Sequence, residues 1–165
     1  MQIKKMHRLK AFRGAWVVPA ALVLDRLTKA IAQARAAEVR ALIPGLLGFR
    51  YARNTGAAFS IFSDTTAILS VVTAIMIAAV SLYLILAKRI PTPARIGLWL
   101  VVAGGLGNLY DRVFYGYVVD FLEFLFVRFA IFNVADICVT CGAGLAIVSI
   151  LVDDMRKGAV DGAAD

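Results

Sequence analysis

The chain has 165 residues, 61% of them hydrophobic, with a mean hydropathy of +0.82 and a formal net charge of +7. A soluble domain is about half apolar, so this composition excludes an ordinary globular protein and indicates a membrane protein. The basic residues are scattered over the termini and the joints between apolar runs, without a basic stripe or a nucleic-acid module. This excludes a nucleic-acid partner and fits contact with anionic lipid headgroups.

A membrane-spanning helix needs about 20 largely apolar residues to cross roughly 30 Å of hydrocarbon. The first stretch that qualifies is 14–34, which carries Asp25, Arg26 and Lys29 in its second half. A basic segment ahead of an apolar one also fits a cleaved signal peptide. This run, however, continues into "DRLTK" without a small-residue cleavage site, and we read it as a retained span. Asp25 and Lys29 are four positions apart, one helical turn, in the favourable order for an ion pair. They are expected to pair with each other, or with Asn108 or Arg112.

The segment 36–63 follows. Its first half, "AAEVRALIPGLLGF", is amphipathic, broken at Pro44 and Gly45, and expected to lie along the membrane interface as a short helix. Its second half, "FRYARNTGAAF", alternates enough to predict short strands, giving a small platform on the membrane surface. The second span, 65–87, has no charge. The third runs over 96–112 and ends in "GGLGNLYDR", where Gly104, Gly105 and Gly107 let helix backbones approach closely. That glycine run lacks the lysine and the strand-to-helix context of a phosphate loop. Asp111 and Arg112 close the span and face different directions, with a scaffold role expected for both.

Asp120, in "GYVVDFLEF", sits among apolar neighbours on a short segment that reads as membrane-embedded. The fourth span is placed at 129–152, which puts Asp136 roughly 10 Å along the helix, with Asn133 on the same face. Cys138 and Cys141 lie in this run. With His7 as the only histidine and no second cysteine pair, they read as small packing residues and not as a metal or redox site. The tail 158–165 is expected to be disordered.

The loops orient the bundle. Lys4, Lys5, Arg8, Lys10, Arg13, Lys88, Arg89, Arg95, Arg156 and Lys157 fall on one side, against Arg35, Arg40, Arg50, Arg53 and Arg128 on the other. The positive-inside rule therefore puts both termini in the cytoplasm. "NTGAAFS", "GNLYDR" and "FNVAD" then meet at the outer face.

Ionisable groups inside spans cost about 2.5 to 3.5 kcal/mol on insertion scales, so Asp25, Asp111 and Asp136 are functional candidates by default. For Asn133 and Asp136 a polar helix-packing cluster is the ordinary alternative. Asp120 and Asp136 can converge where the extension of the third span meets the fourth. Two carboxylates close together in a low-dielectric site share one proton, so one can activate a water while the other protonates a leaving amide. Ser60, Ser63 and Thr140 have no histidine base nearby, which leaves a serine–lysine pair as the remaining nucleophilic option. Two rivals come from other classes. A small proton-coupled transporter should spread ionisable groups through the membrane depth, and a structural assembly factor leaves the Asp120 and Asp136 pair unexplained.

In this order, "DRLTK", "RNTGAAFS", "GGLGNLYDR", "GYVVDF" and "FNVAD" resemble the lipoprotein signal peptidases of bacteria, over about residues 16–152. No motif of that family is missing. The resemblance implies an all-α integral membrane protein of four transmembrane helices with a small extracytoplasmic β-cradle and a short interfacial helix. It implies an inner-membrane aspartic endopeptidase that cleaves diacylglyceryl-modified prolipoproteins before the lipidated cysteine, without metal or cofactor. Asp120 and Asp136 match the catalytic aspartates. Asn54, Asn108, Arg112 and Asn133 match polar positions that shape the site or hold substrate, and Asp25 and Lys29 match a pair important for stability. Gly56 is expected to allow a turn, with Ala57 and Ala58 leaving room for substrate. Inhibition by globomycin-like cyclic peptides, contact with membrane lipid and a monomeric state are further expectations.

Overall fold

The computed structural model describes residues 13–56, 66–87 and 89–161. Among the described residues, four helices and one three-stranded sheet make up the fold. In chain order they are α1 (Val17–Ala34), β1 (Val39–Ile43), β2 (Leu47–Asn54), α2 (Thr66–Leu86), α3 (Thr92–Tyr115), β3 (Val118–Phe124) and α4 (Val134–Asp161).

Helix α3 is the hub and packs against α1, α2 and α4. On α1 the buried residues Val17, Ala21, Asp25, Lys29 and Ala32 recur at helical spacing, so one stripe faces the bundle while Leu24, Leu27 and Ile31 face outward. Helix α2 buries only Leu84, packs a half-buried stripe including Ile77 and Val80 on the bundle, and exposes apolar side chains such as Ile68, Val72, Ile75 and Leu86 on its other faces, as a helix against lipid does. Helix α2 and the Val134–Lys157 part of α4 are long and apolar enough to cross a membrane. One apolar cluster, Val17, Leu84, Trp99 and Val102, ties α1, α2 and α3 together.

Close backbone approach holds α3 against α4. A methyl group at Gly97 would collide with the Gly142 carbonyl, one at Gly142 with the Gly97 carbonyl, and one at Gly104 with the Ala135 carbonyl. Small residues are what membrane helices use where backbones must touch. Gly107 has a different neighbour: its missing side chain leaves room for the Asp25 carboxylate, 2.8 Å from where a Cβ would sit.

The sheet order is β1-β2-β3, all antiparallel. Residues 39–43, expected along the interface as a helix, are instead strand β1. The reason lies in Ile43–Leu46. Gly45 has a positive φ of +71° after Pro44, and Leu46 N–H donates to Ile43 O at 3.0 Å, a tight turn that folds β1 back on β2. The third strand was not foreseen: the stretch around Asp120, read as membrane-embedded, is β3, with Asp120 opposite Ala52 and Val118 opposite Asn54. Ala32, Phe49, Val119 and Phe121 form a second apolar cluster, seating the sheet on the end of α1.

After β3 the chain turns back, and Phe132 bridges to Leu122 through Leu122 N–H to Phe132 O at 2.8 Å and Phe132 N–H to Leu122 O at 2.9 Å. Helix α4 therefore begins at Val134 and not near Phe129, because Phe132 is held by the sheet. At its other end α4 continues to Asp161, past the point where disorder was expected.

Candidate active site

Asn133 is the cap of α4 and Asp136 stands in its first turn. Asn133 N–H donates to Asp136 Oδ2 at 3.0 Å, and Asp136 N–H donates to Asn133 Oδ1 at 3.0 Å. This reciprocal pair is a capping box, which satisfies two of the four free N–H groups of a helix start. The expected position of Asp136, two turns inside a helix, is thus corrected: it lies at the helix N-terminus, where a carboxylate is favoured by the backbone dipole.

The Phe132 bridge delivers Asn133 to β3. There its side-chain amide donates to Asp120 Oδ1 at 2.7 Å and, more weakly, to Val119 O at 3.3 Å. Asp120 is 2% exposed and Asp136 is half-buried. The two carboxylates predicted to converge are thereby brought to one place, both bound to Asn133.

Two further amides complete the frame. Asn54, at the end of β2, donates through Nδ2 to Asp120 Oδ2 at 2.9 Å, while its Oδ1 accepts from Gly56 N–H at 3.2 Å. That local turn fixes which end of the amide faces Asp120. Gly56 thus contributes through its backbone N–H. Asn108 on α3 donates through Nδ2 to Asp136 Oδ1 at 2.7 Å and accepts at Oδ1 from Asn133 Nδ2 at 3.1 Å. Arg112, one turn further along α3, is half-buried and within range of the charges of Asp136, Asp120 and Asp111. Among the described residues no hydrogen bond or ion pair holds its guanidinium. It does not join Asp25 and Lys29.

Behind the amides lies a cluster of four charges. Asp25 and Lys29 pair as the spacing predicted, at 3.1 Å. Asp111 joins them, accepting from Lys29 at 2.8 Å and from Arg26 at 2.6 Å, and Arg26 also reaches Asp25 at 2.6 Å. Asp111 and Asp25 are 0% and 2% exposed, so two buried anions are matched by two cations, the condition on which buried charge is tolerated. The bridging role of Arg26 was missed because helical spacing from Asp25 does not reveal a partner on another helix.

Burial dominates the electrostatics of Asp120 and pushes its pKa from the usual carboxylate range up to about 6. The charge of Asp136 adds to the rise, while the hydrogen bonds from Asn54 and Asn133 and the charge of Lys29 oppose it. A group poised this close to neutrality is what general acid–base chemistry requires.

Other candidates fall elsewhere. Thr140 is exposed on α4, and Ser60, Ser63, Ala57 and Ala58 lie outside the described residues. Both cysteines are free thiols. Cys138 is half-buried as a packing residue would be, whereas Cys141 is exposed on the helix surface. The missed capping box had a legible signal, an Asn followed three positions later by an acid ahead of an apolar run.

Similarity to known proteins follows the same residues. The family model described as signal peptidase (SPase) II matches residues 17–152. A lipoprotein signal peptidase of Clostridium acetobutylicum is 42% identical over 150 residues, covering 87% of this chain and 97% of that one. One of Streptococcus pneumoniae is 38% identical over 135 residues, covering 81% and 88%. A solved bacterial membrane enzyme superposes with a TM-score of 0.78 at 30% identity, covering 87% of this chain and 90% of that one. The protein is an integral membrane protein, and its chain belongs to the signal peptidase II family.

Proposed function

We propose that the protein is a membrane aspartic endopeptidase that removes the signal peptide from diacylglyceryl-modified prolipoproteins, cutting before the lipidated cysteine, with Asp120 and Asp136 as the reacting pair. The observation that carries this reading is the pair itself: two carboxylates held by one asparagine in a chain of the signal peptidase II family.

The pair works with one proton. In this reading the shared proton sits on Asp120, and Asp136, which accepts from Asn108 Nδ2 and the Asn133 N–H, is the ionised member. Asp136 takes a proton from a water held between the carboxylates. The water oxygen bonds to the scissile carbonyl carbon while Asp120 gives its proton to the carbonyl oxygen. The tetrahedral diol then collapses: the C–N bond breaks, the nitrogen takes the proton from Asp136, and a diol proton returns to Asp120. Arg112 offers its N–H groups to a peptide carbonyl or to developing negative charge beside the pair.

The arginine and lysine distribution supports a cytoplasmic, inner-membrane topology of four spans, with both termini inside and the sheet and the carboxylates at the outer face. Substrates then reach the site as secreted precursors anchored by their acyl chains. Membrane lipid and globomycin-like cyclic peptides are further partners of this reading, and the working unit is a monomer without metal or cofactor. A proton-coupled transporter is disfavoured because the buried carboxylates and Lys29 sit together at the sheet end of the bundle.

Cleavage of a purified diacylglyceryl-modified prolipoprotein in detergent tests the proposal, with unmodified precursor as control. Wild type should cut the lipidated substrate alone, and Asp120→Asn and Asp136→Asn should each abolish turnover in a folded protein. Near-normal turnover by either variant would remove that carboxylate from the mechanism.

A further inference from the structure

Lys29 spends its three protons on three acceptors: Asp25 Oδ2 at 3.1 Å, Asp111 Oδ2 at 2.8 Å and Asn108 Oδ1 at 3.0 Å. The first two belong to the charge cluster; the third leaves it and enters the frame around the carboxylates. An amide has an acceptor end and a donor end. With Lys29 and Asn133 both donating to Asn108 Oδ1, the Nδ2 end must face Asp136 Oδ1, which it meets at 2.7 Å. A flipped Asn108 would aim an N–H at an ammonium and offer Asp136 an oxygen. The other carboxylate is tied to the same cluster, because Asp111 Oδ2 also accepts from Val119 N–H at 3.2 Å, one residue before Asp120.

We infer that Lys29 is a positioning residue for the reaction: through Asn108 it fixes how Asp136 is presented, so the buried charge cluster is the footing on which the reacting pair is aligned. This rests on Asp120 and Asp136 being that pair, and it goes beyond a role for Lys29 in stability alone. The charged groups facing the pair are Lys29 from α1, Arg112 from α3 and, on each carboxylate, the other.

Simple removal of Lys29 would leave two buried carboxylates with one cation, and would unbalance the fold and the site together. The informative variant is Lys29→Met combined with Asp25→Asn, which leaves Arg26 and Asp111 as a neutral pair. Asp25→Asn keeps an oxygen where Asp25 Oδ2 accepts from Arg26, and its amide group takes the place of Oδ1, which has no hydrogen-bond partner among the described residues, so the two new N–H groups cost some stability. The expected result is a folded protein with a lowered thermal midpoint, kcat down by about a hundredfold, the cost of a misplaced reacting group, and KM little changed. The pH profile should also move to higher pH, because the charge of Lys29 holds the pKa of Asp120 down.

A folded double variant that keeps most of the wild-type kcat and an unshifted profile would overturn the inference. Should the Met variant fail to fold, Lys29→Gln with Asp25→Asn carries the test: it keeps an N–H for Asn108 but no charge. Turnover should then survive in part, and its complete loss in a folded protein would overturn the inference. Wild type run alongside separates the two readings. If wild type does not cut the lipidated substrate, the proposed function fails; if it cuts while the double variant recovers fully, only the role of Lys29 fails.

Discussion

Asn133 and Asp136 hold each other by two backbone-to-side-chain hydrogen bonds of 3.0 Å, and the same Asn133 amide reaches across to Asp120 at 2.7 Å. Helix capping and carboxylate alignment are therefore one structure, and they separate by mutation. Asn133→Ala should lose about 1 kcal/mol of stability from the cap and at least a hundredfold in turnover. Asn133→Ser can still cap Asp136 N–H but cannot donate to both sites as the amide does, so it should recover the melting temperature and not the activity. Thermal melts and cleavage rates in the same detergent check both.

The raised pKa of Asp120 sets a pH dependence. A carboxyl group whose folded-state pKa lies above its unfolded value stabilises the fold fully below the unfolded value near 4, and this contribution is lost as pH rises through about 6. The shift corresponds to about 3 kcal/mol at most. Wild type should thus lose stability between about pH 4 and pH 6 relative to Asp120→Asn, and turnover should fall as Asp120 gives up its proton above about 6. Parallel melts of the two proteins across that range would expose the difference; coincident curves would place the titration elsewhere.

Arg112 places a half-buried cation beside the pair without a hydrogen-bond partner among the described residues. Its burial costs stability that no described ion pair returns. Arg112→Gln should leave the melting temperature unchanged or higher while lowering kcat/KM by more than tenfold. A loss of stability with intact kinetics would make Arg112 a structural residue.

Gly104 lets α3 lie against the Ala135 carbonyl, next to Asp136, whereas Gly116 ends α3 with a positive φ of +75° and nothing near its missing Cβ. Gly104→Ala should cost about 1 to 3 kcal/mol and also impair cleavage, because relieving the clash moves α4 and Asp136 with it. Gly116→Ala should cost about 1 kcal/mol through backbone strain and leave kcat near wild type. Chemical denaturation with matched activity assays tells the two effects apart.

Apolar length made the helices legible, and local spacing made the Asp25–Lys29 pair legible, since both follow from the 3.6-residue period of a single segment. The glycines of α3 announced close helix packing for a similarly local reason. Strand β3 was hidden because its "VVDFLEF" run is buried over Val118–Phe121, so no alternation marks it as a strand, and its pairing with β2 joins residues more than 60 positions apart. The start of α4 was misread because apolar content continues back to Phe129, while the Phe132 bridge to Leu122 decides where the helix begins. Amide orientation was beyond sequence altogether. That Asn54, Asn108 and Asn133 each turn a donor toward a carboxylate depends on Gly56 N–H, Lys29 and the Asp136 N–H occupying their oxygens, and those partners are set by how the elements pack. The sequence motifs singled out the candidate residues, whereas how those residues face one another came from the packing, because hydrogen-bond direction is a property of assembled neighbours.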